Sequence, residues 1–110
     1  MTTVLCVGRN WPAPTDAPLD AIAVDSEHPL FIAYTSGTTG RPKGTIATHA
    51  GFLTKVAEEV AFQFDVRSDD RLFWFTDMGW IMGPWEVVGA LANRATLVLY
   101  EGAPDWHPPD

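Results

Sequence analysis

Residues 35–44 read Thr-Ser-Gly-Thr-Thr-Gly-Arg-Pro-Lys-Gly, and no other stretch restricts the fold as much. Gly37, Gly40, Gly44 and Pro42 argue against a helix here, because glycine costs about 1 kcal/mol and proline about 3 kcal/mol in a helix interior. The flanks are Leu30-Phe31-Ile32-Ala33-Tyr34 before and Thr45-Ile46-Ala47-Thr48 after, both rich in β-branched or aromatic residues. Two such runs around a Gly-rich loop predict a β-hairpin. The loop also has a chemistry. Glycines without Cβ atoms let backbone N–H groups surround an anion. The hydroxyls of Thr35, Ser36, Thr38 and Thr39 add donors, each worth about 1.5–3 kcal/mol against a charged oxygen. Arg41 and Lys43 supply countercharge. The set suits a phosphate chain; the plainer reading is a solvated hairpin tip.

The loop is not of the Walker type, which requires Gly, four residues, then Gly-Lys-Ser/Thr and a helix. Here Gly37 is followed four residues on by Pro42-Lys43-Gly44 and then by a β-like run. A P-loop NTPase is disfavoured on both counts.

Beyond the hairpin the pattern is α/β. Phe52, Leu53, Val56, Val60 and Phe64 recur at helical spacing and predict a helix over residues 50–64, with Thr48 as N-cap and Lys55, Glu58, Glu59 and Gln63 facing away. Asp69 and Asp70 form a turn into residues 72–76, Leu-Phe-Trp-Phe-Thr, a strand apolar on both faces and so expected to be buried. Pro84 suits the first turn of a helix over residues 84–93, and residues 96–100 form a last strand. Ahead of the hairpin, residues 4–7 are a strand end. Residues 9–29, with Pro12, Pro14, Pro18 and Pro29, form a surface connector. The fold expected is a β-hairpin with a Gly-rich loop followed by α-β-α-β.

Charge excludes some functions and, on closer reading, spares one. The net charge of −7 argues against a nucleic-acid binder and against an anionic membrane surface. It also speaks against a polyphosphate ligand, until the acids are located. Residues 28–57 contain no Asp or Glu, yet hold Arg41, Lys43 and Lys55. The loop sits in a locally basic window. Cys6 is the only cysteine, so there is no internal disulfide and no cysteine metal frame. No apolar run is long enough to span a bilayer, and the first 20 residues lack a secretory pattern, so the expected location is the cytoplasm. Five Trp, six Phe and two Tyr are many for 110 residues and imply extensive packing, within the chain or against a neighbour.

Residues 32–43, Ile-Ala-Tyr-Thr-Ser-Gly-Thr-Thr-Gly-Arg-Pro-Lys, match the AMP-binding signature of the adenylate-forming superfamily at every defined position. His49 and the helix after it are also typical. Residues 70–80, Asp-Arg-Leu-Phe-Trp-Phe-Thr-Asp-Met-Gly-Trp, and residues 95–102, Ala-Thr-Leu-Val-Leu-Tyr-Glu-Gly, resemble the acetyl-CoA-synthetase branch. The resemblance covers roughly residues 30–102. It implies part of the larger N-terminal domain of an acyl-CoA synthetase. Such enzymes let a carboxylate attack the α-phosphate of Mg2+-bound ATP, giving an acyl-adenylate and pyrophosphate; the thiol of CoA then displaces AMP to form a thioester.

Carried over residue by residue, the resemblance implies that Thr35, Ser36, Gly37, Thr38, Thr39 and Gly40 wrap the β- and γ-phosphates. Lys43 neutralises or positions charge at the loop's end. Trp80, Ile81 and Met82 fall where the branch builds its acyl pocket and the approach for CoA, although core packing is a close alternative for these three. Met82 stands where acetate-specific members carry Thr, Pro84 where they carry His, and Arg94 where a Gly is usual, leaving Asn93 as the expected left-handed helix cap. The resemblance places the catalytic lysine and the acidic metal-binding motif outside this segment, so no catalytic or metal-ligating residue is assigned within it. The expected organisation is a strand end and connector over 1–29, a partial AMP-binding domain over 30–102 and a turn-like end over 103–110. The expected partners are ATP, a small carboxylic acid and the rest of a synthetase chain. The alternative is a non-catalytic remnant or protein-interaction module using the aromatic surface.

Overall fold

A computed structural model describes residues 21–35, 40–100 and 102, together with the backbone of residues 4–7. Its elements are β1 (Val4–Val7), β2 (Pro29–Thr35), β3 (Lys43–Thr48), α1 (His49–Gln63), β4 (Arg71–Leu72), α2 (Met82–Ala92) and β5 (Thr96–Tyr100). The α/β order expected from the sequence is present. Most of the connector, and all of residues 103–110, lie outside the described residues.

The strands form two separate sheets. β2 and β3 are an antiparallel ribbon whose register runs from Pro29 opposite Thr48 to Thr35 opposite Lys43. β4 and β1 flank β5, and both pairs are parallel. β4, α2 and β5 are thus a β-α-β unit, in which the helix carries the chain back between parallel neighbours.

The core lies where α1 packs on α2, which in turn covers the small parallel sheet. Val56 and Val60 of α1 are buried with Leu72, Trp85, Ala90 and Leu97. The crossing is close because residue 89 is glycine. A Cβ on Gly89 would stand 2.5 Å from Val60 Cγ2, so only a bare Cα lets the helices meet here. Burying a valine fully contributes about 1.5–3 kcal/mol, which makes Val60 a principal anchor of α1. The α1 stripe is narrower than the spacing suggests: Leu53 and Phe64 remain exposed.

Both helix ends differ from expectation, for identifiable reasons. Thr48 occupies the N-cap position in extended conformation, yet its hydroxyl makes no capping bond. The first N–H groups are already satisfied: His49 donates to the His28 carbonyl at 3.1 Å and Ala50 to the Ser26 carbonyl at 3.0 Å. The connector's last turn is therefore the cap. At the other end Arg94, not Asn93, adopts the left-handed conformation (φ 59°), while Asn93 stays at φ −89°. Arg94 N–H donates to the Leu91 carbonyl (3.1 Å) and Ala95 N–H to the Ala90 carbonyl (2.9 Å), the paired bonds of a Schellman cap. Asn93 is kept out of that role by its side chain, whose Nδ2 donates to the carbonyls of Gly89 (2.9 Å) and of Ala57 in α1 (3.1 Å). It ties the two helices together.

A second correction concerns residues 72–76. The ladder stops at Leu72, and Phe73, Trp74 and Phe75 are exposed rather than buried on two faces. The chain leaves the sheet because the Trp74 N–H bonds to a side chain of α2, Glu86, instead of to β5. The Trp74 ring then packs edge-on against Trp85 (5.5 Å) and Phe64 (5.8 Å). No helix among the described residues is long and apolar enough to cross a membrane.

Candidate functional site

Two groups of residues were singled out by the sequence, and they sit on different units. The first is the tip of the β2–β3 ribbon. Thr35 and Lys43 face each other as its last pair, and the Thr35 hydroxyl donates to the Lys43 carbonyl at 3.5 Å. They are the two posts between which the chain runs through residues 36–42. Ser36, Gly37, Thr38 and Thr39 lie outside the described residues. Gly40 is exposed with φ +87°, a conformation that L residues rarely adopt, and nothing lies within 4 Å of where its Cβ would be. Arg41 and Lys43 are exposed, and among the described residues neither forms an ion pair.

Gly44 has a different reason. Its backbone is covered by the Tyr34 ring, since an added Cβ would meet Ile32 Cγ2 at 3.0 Å and Tyr34 Cε1 at 3.4 Å. That glycine serves the cross-strand packing of the post rather than the approach of an anion. The ribbon is held on α1 by an edge-to-face contact between Phe31 and Phe52, 4.9 Å between centroids.

The second group is the turn leading into α2. Asp77 organises it: the Gly79 N–H donates to Asp77 Oδ1 at 2.6 Å and the Trp80 N–H to the Asp77 carbonyl at 3.0 Å. Gly83 packs flat on the same segment, for its Cβ would meet Met78 Cα at 2.7 Å and the Asp77 carbonyl oxygen at 3.0 Å. Trp80 is consequently displayed at 72% exposure, with Ile81 beside it at 53%. Met82, one residue into the helix, is half-buried and packs against the core. The three residues are adjacent but not equivalent: two stand out and one points back.

Glu86 was missed by the sequence reading. It is the one charged residue that is buried among the described residues, at 1% exposure. Its Oε1 accepts the Trp74 N–H at 2.6 Å. Burial pushes its carboxyl above the ordinary value, and the Trp74 N–H pulls it back only in part. With Phe73, Trp74, Phe75, Val98 and Leu99 it lines a hollow where β4 and β5 end. In parallel α/β sheets ligands gather at these C-terminal strand ends. A Glu inside an otherwise apolar helix stretch, Trp-Glu-Val-Val, was the available signal. Asp77 was also readable, because Asp two residues before Gly is a turn signature.

Comparisons with known proteins bear on the family and the fold. The family model described as AMP-binding enzyme matches residues 5–110. Acetyl-coenzyme A synthetase of Gemmatimonas aurantiaca is 55% identical over 86 residues, covering 76% of this chain and 13% of the relative. Its counterpart in Mycobacterium tuberculosis is 50% identical over 101 residues, covering 90% and 15%. The chain thus spans about one-seventh of these relatives. Among solved structures, acetoacetyl-CoA synthetase from Streptomyces lividans superposes with a TM-score of 0.72 at 30% identity, covering 94% of this chain and 18% of that one. The N-terminal domain of FACL13 from Mycobacterium tuberculosis gives 0.62 at 35% identity, covering 72% and 20%. A ribbon with a hydroxyl- and glycine-rich tip, an α-β-α-β run behind it and a match along nearly all of its length lead to one conclusion: the chain belongs to the AMP-binding enzyme family.

Proposed function

We propose that this chain is the phosphate-gripping segment, with part of the acyl site, of an ATP-dependent, AMP-forming acyl-CoA synthetase. The carrying observation is the ribbon tip. Thr35 and Lys43 stand opposite each other at the mouth of a loop whose neighbourhood has cations and no acid. Thr35, Ser36, Gly37, Thr38, Thr39 and Gly40 donate to the β- and γ-phosphates of ATP, and Lys43 holds the charge of the departing pyrophosphate. Mg2+ accompanies the nucleotide; residues 28–57 contain no carboxylate to ligate it. Trp80 and Ile81 meet the carboxylic acid at the exposed turn, and Met82 closes the site from the core side. A methionine there presents a flexible apolar wall, so the acid preferred is not set by a threonine hydroxyl. Residues 1–29 lead into this unit, 30–102 carry the AMP-binding segment and 103–110 follow it. The setting is the cytoplasm, with CoA as cosubstrate.

The second reading, an interaction module, draws on the exposed Phe62, Phe75 and Trp80. In the favoured reading the remainder of the synthetase covers that surface. Incubating the full-length gene product with ATP, Mg2+, CoA and short carboxylic acids decides between them. Release of AMP and pyrophosphate with at least one acid is expected. No acid-dependent AMP, or release of ADP and phosphate instead, would overturn the proposal.

A further inference from the structure

The turn that displays Trp80 is one end of the connection from β4 to α2, residues 73–81, and a buried carboxylate of α2 clamps its start. On one side Glu86 grips the Trp74 N–H from inside α2. On the other, Trp74 is wedged against Trp85 and Phe64. The ladder has ended at Leu72, so among the described residues no β-bridge holds residues 73–77 in place. Glu86 also follows Met82 by four residues within α2, which puts both on one helix face, a turn apart. The helix therefore links the residue that fixes Trp74 to the residue that closes the acyl turn. A carboxylate is an expensive choice for this place: burying it costs more than burying an apolar side chain of the same size. Packing alone would be served by leucine. What leucine lacks is an acceptor for the Trp74 N–H.

We infer that Glu86 is a positioning residue for the carboxylic-acid site, clamping the start of the connection that carries Trp80 to the helix that carries Met82. The inference rests on the proposed reading of Trp80, Ile81 and Met82 as acyl-site residues. The described part of the proposed phosphate-binding segment lies on the β2–β3 ribbon, held on α1 by Phe31 and Phe52, whereas the clamp joins Trp74 to α2. Its loss should fall on the carboxylic acid and spare ATP.

The test uses the full-length gene product with two variants. Glu86→Gln keeps an oxygen acceptor, and Glu86→Leu keeps the bulk and removes the acceptor. In acid-dependent ATP–pyrophosphate exchange, Glu86→Leu is expected to raise KM for the acid about tenfold or more, as misplacement of a binding group does, while KM for ATP stays near wild type. Glu86→Gln is expected to restore the acid KM. Hydrogen–deuterium exchange resolved to residue 74, without substrates, should show a protected Trp74 amide in wild type and Glu86→Gln and a rapidly exchanging one in Glu86→Leu. An unprotected Trp74 amide in the folded wild type overturns the inference with no variant needed. So does a folded Glu86→Leu with unchanged acid KM, or one in which both KM values rise alike. Wild type that exchanges with no acid defeats the functional proposal, and this inference with it; the other outcomes leave that proposal standing.

Discussion

The Trp74 N–H donates to Glu86 Oε1 across 2.6 Å, and this one bond turns the chain out of the parallel sheet. Its cost appears as a pH dependence. Burial raises the Glu86 carboxyl above 4.5 despite that bond. The folded state therefore holds the proton more tightly than the unfolded one. The resulting stabilisation is complete below 4.5 and disappears as pH rises through the folded value. Glu86→Gln has no such proton. Thermal unfolding from about pH 4 to about pH 8 should show the variant gaining on wild type as pH rises. A gap constant across that range would contradict the assignment.

Gly89 sets two effects against each other. Alanine is the better helix former by about 1 kcal/mol. Its Cβ, however, would stand 2.5 Å from Val60 Cγ2, and overpacking a core costs about 1–3 kcal/mol. The clash should win, so Gly89→Ala is expected to destabilise in denaturant unfolding. Adding Val60→Ala should recover part of that loss, giving a favourable coupling in the double-mutant cycle. Strict additivity would argue against the contact.

The end of α2 carries a matched pair of predictions. Arg94 holds φ 59°, which costs an L residue about 1–2 kcal/mol. Glycine removes that strain but loses about 0.4–1 kcal/mol through the unfolded chain. Arg94→Gly should therefore stabilise by about 0.5–1 kcal/mol. Asn93→Ala removes two hydrogen bonds, one of them to α1, and should destabilise by about 1–2 kcal/mol. Equal and opposite effects, with Asn93→Ala stabilising, would mean that the cap is misassigned.

These residues also show what a sequence can carry. The ribbon was legible because glycine and proline punctuate it locally, and the opposition of Thr35 and Lys43 follows from its register. The helices were legible to within two residues because their stripes and Pro84 are local signals. At the site, motifs point to the loop and to residues 80–82 as candidates, and their roles belong to the proposed function. Illegible were features made by distant partners. Leu-Phe-Trp-Phe looks like a buried strand until a carboxylate twelve residues away takes its N–H. The cap of α1 comes from two backbone carbonyls, which leave no mark in residue types. Arg94 takes a conformation that composition assigns to glycine or asparagine, because Asn93 is occupied between the helices.

The central claim is that the ribbon tip grips the phosphates of ATP, and acid-dependent ATP–pyrophosphate exchange in the full-length gene product tests it most directly. Wild type should exchange. Lys43→Ala, with Lys43 fully outside the core and so without effect on folding, should lower exchange about a hundredfold or more, the scale of losing one charge-stabilising group. Exchange at the wild-type rate in a folded Lys43→Ala variant would contradict the account.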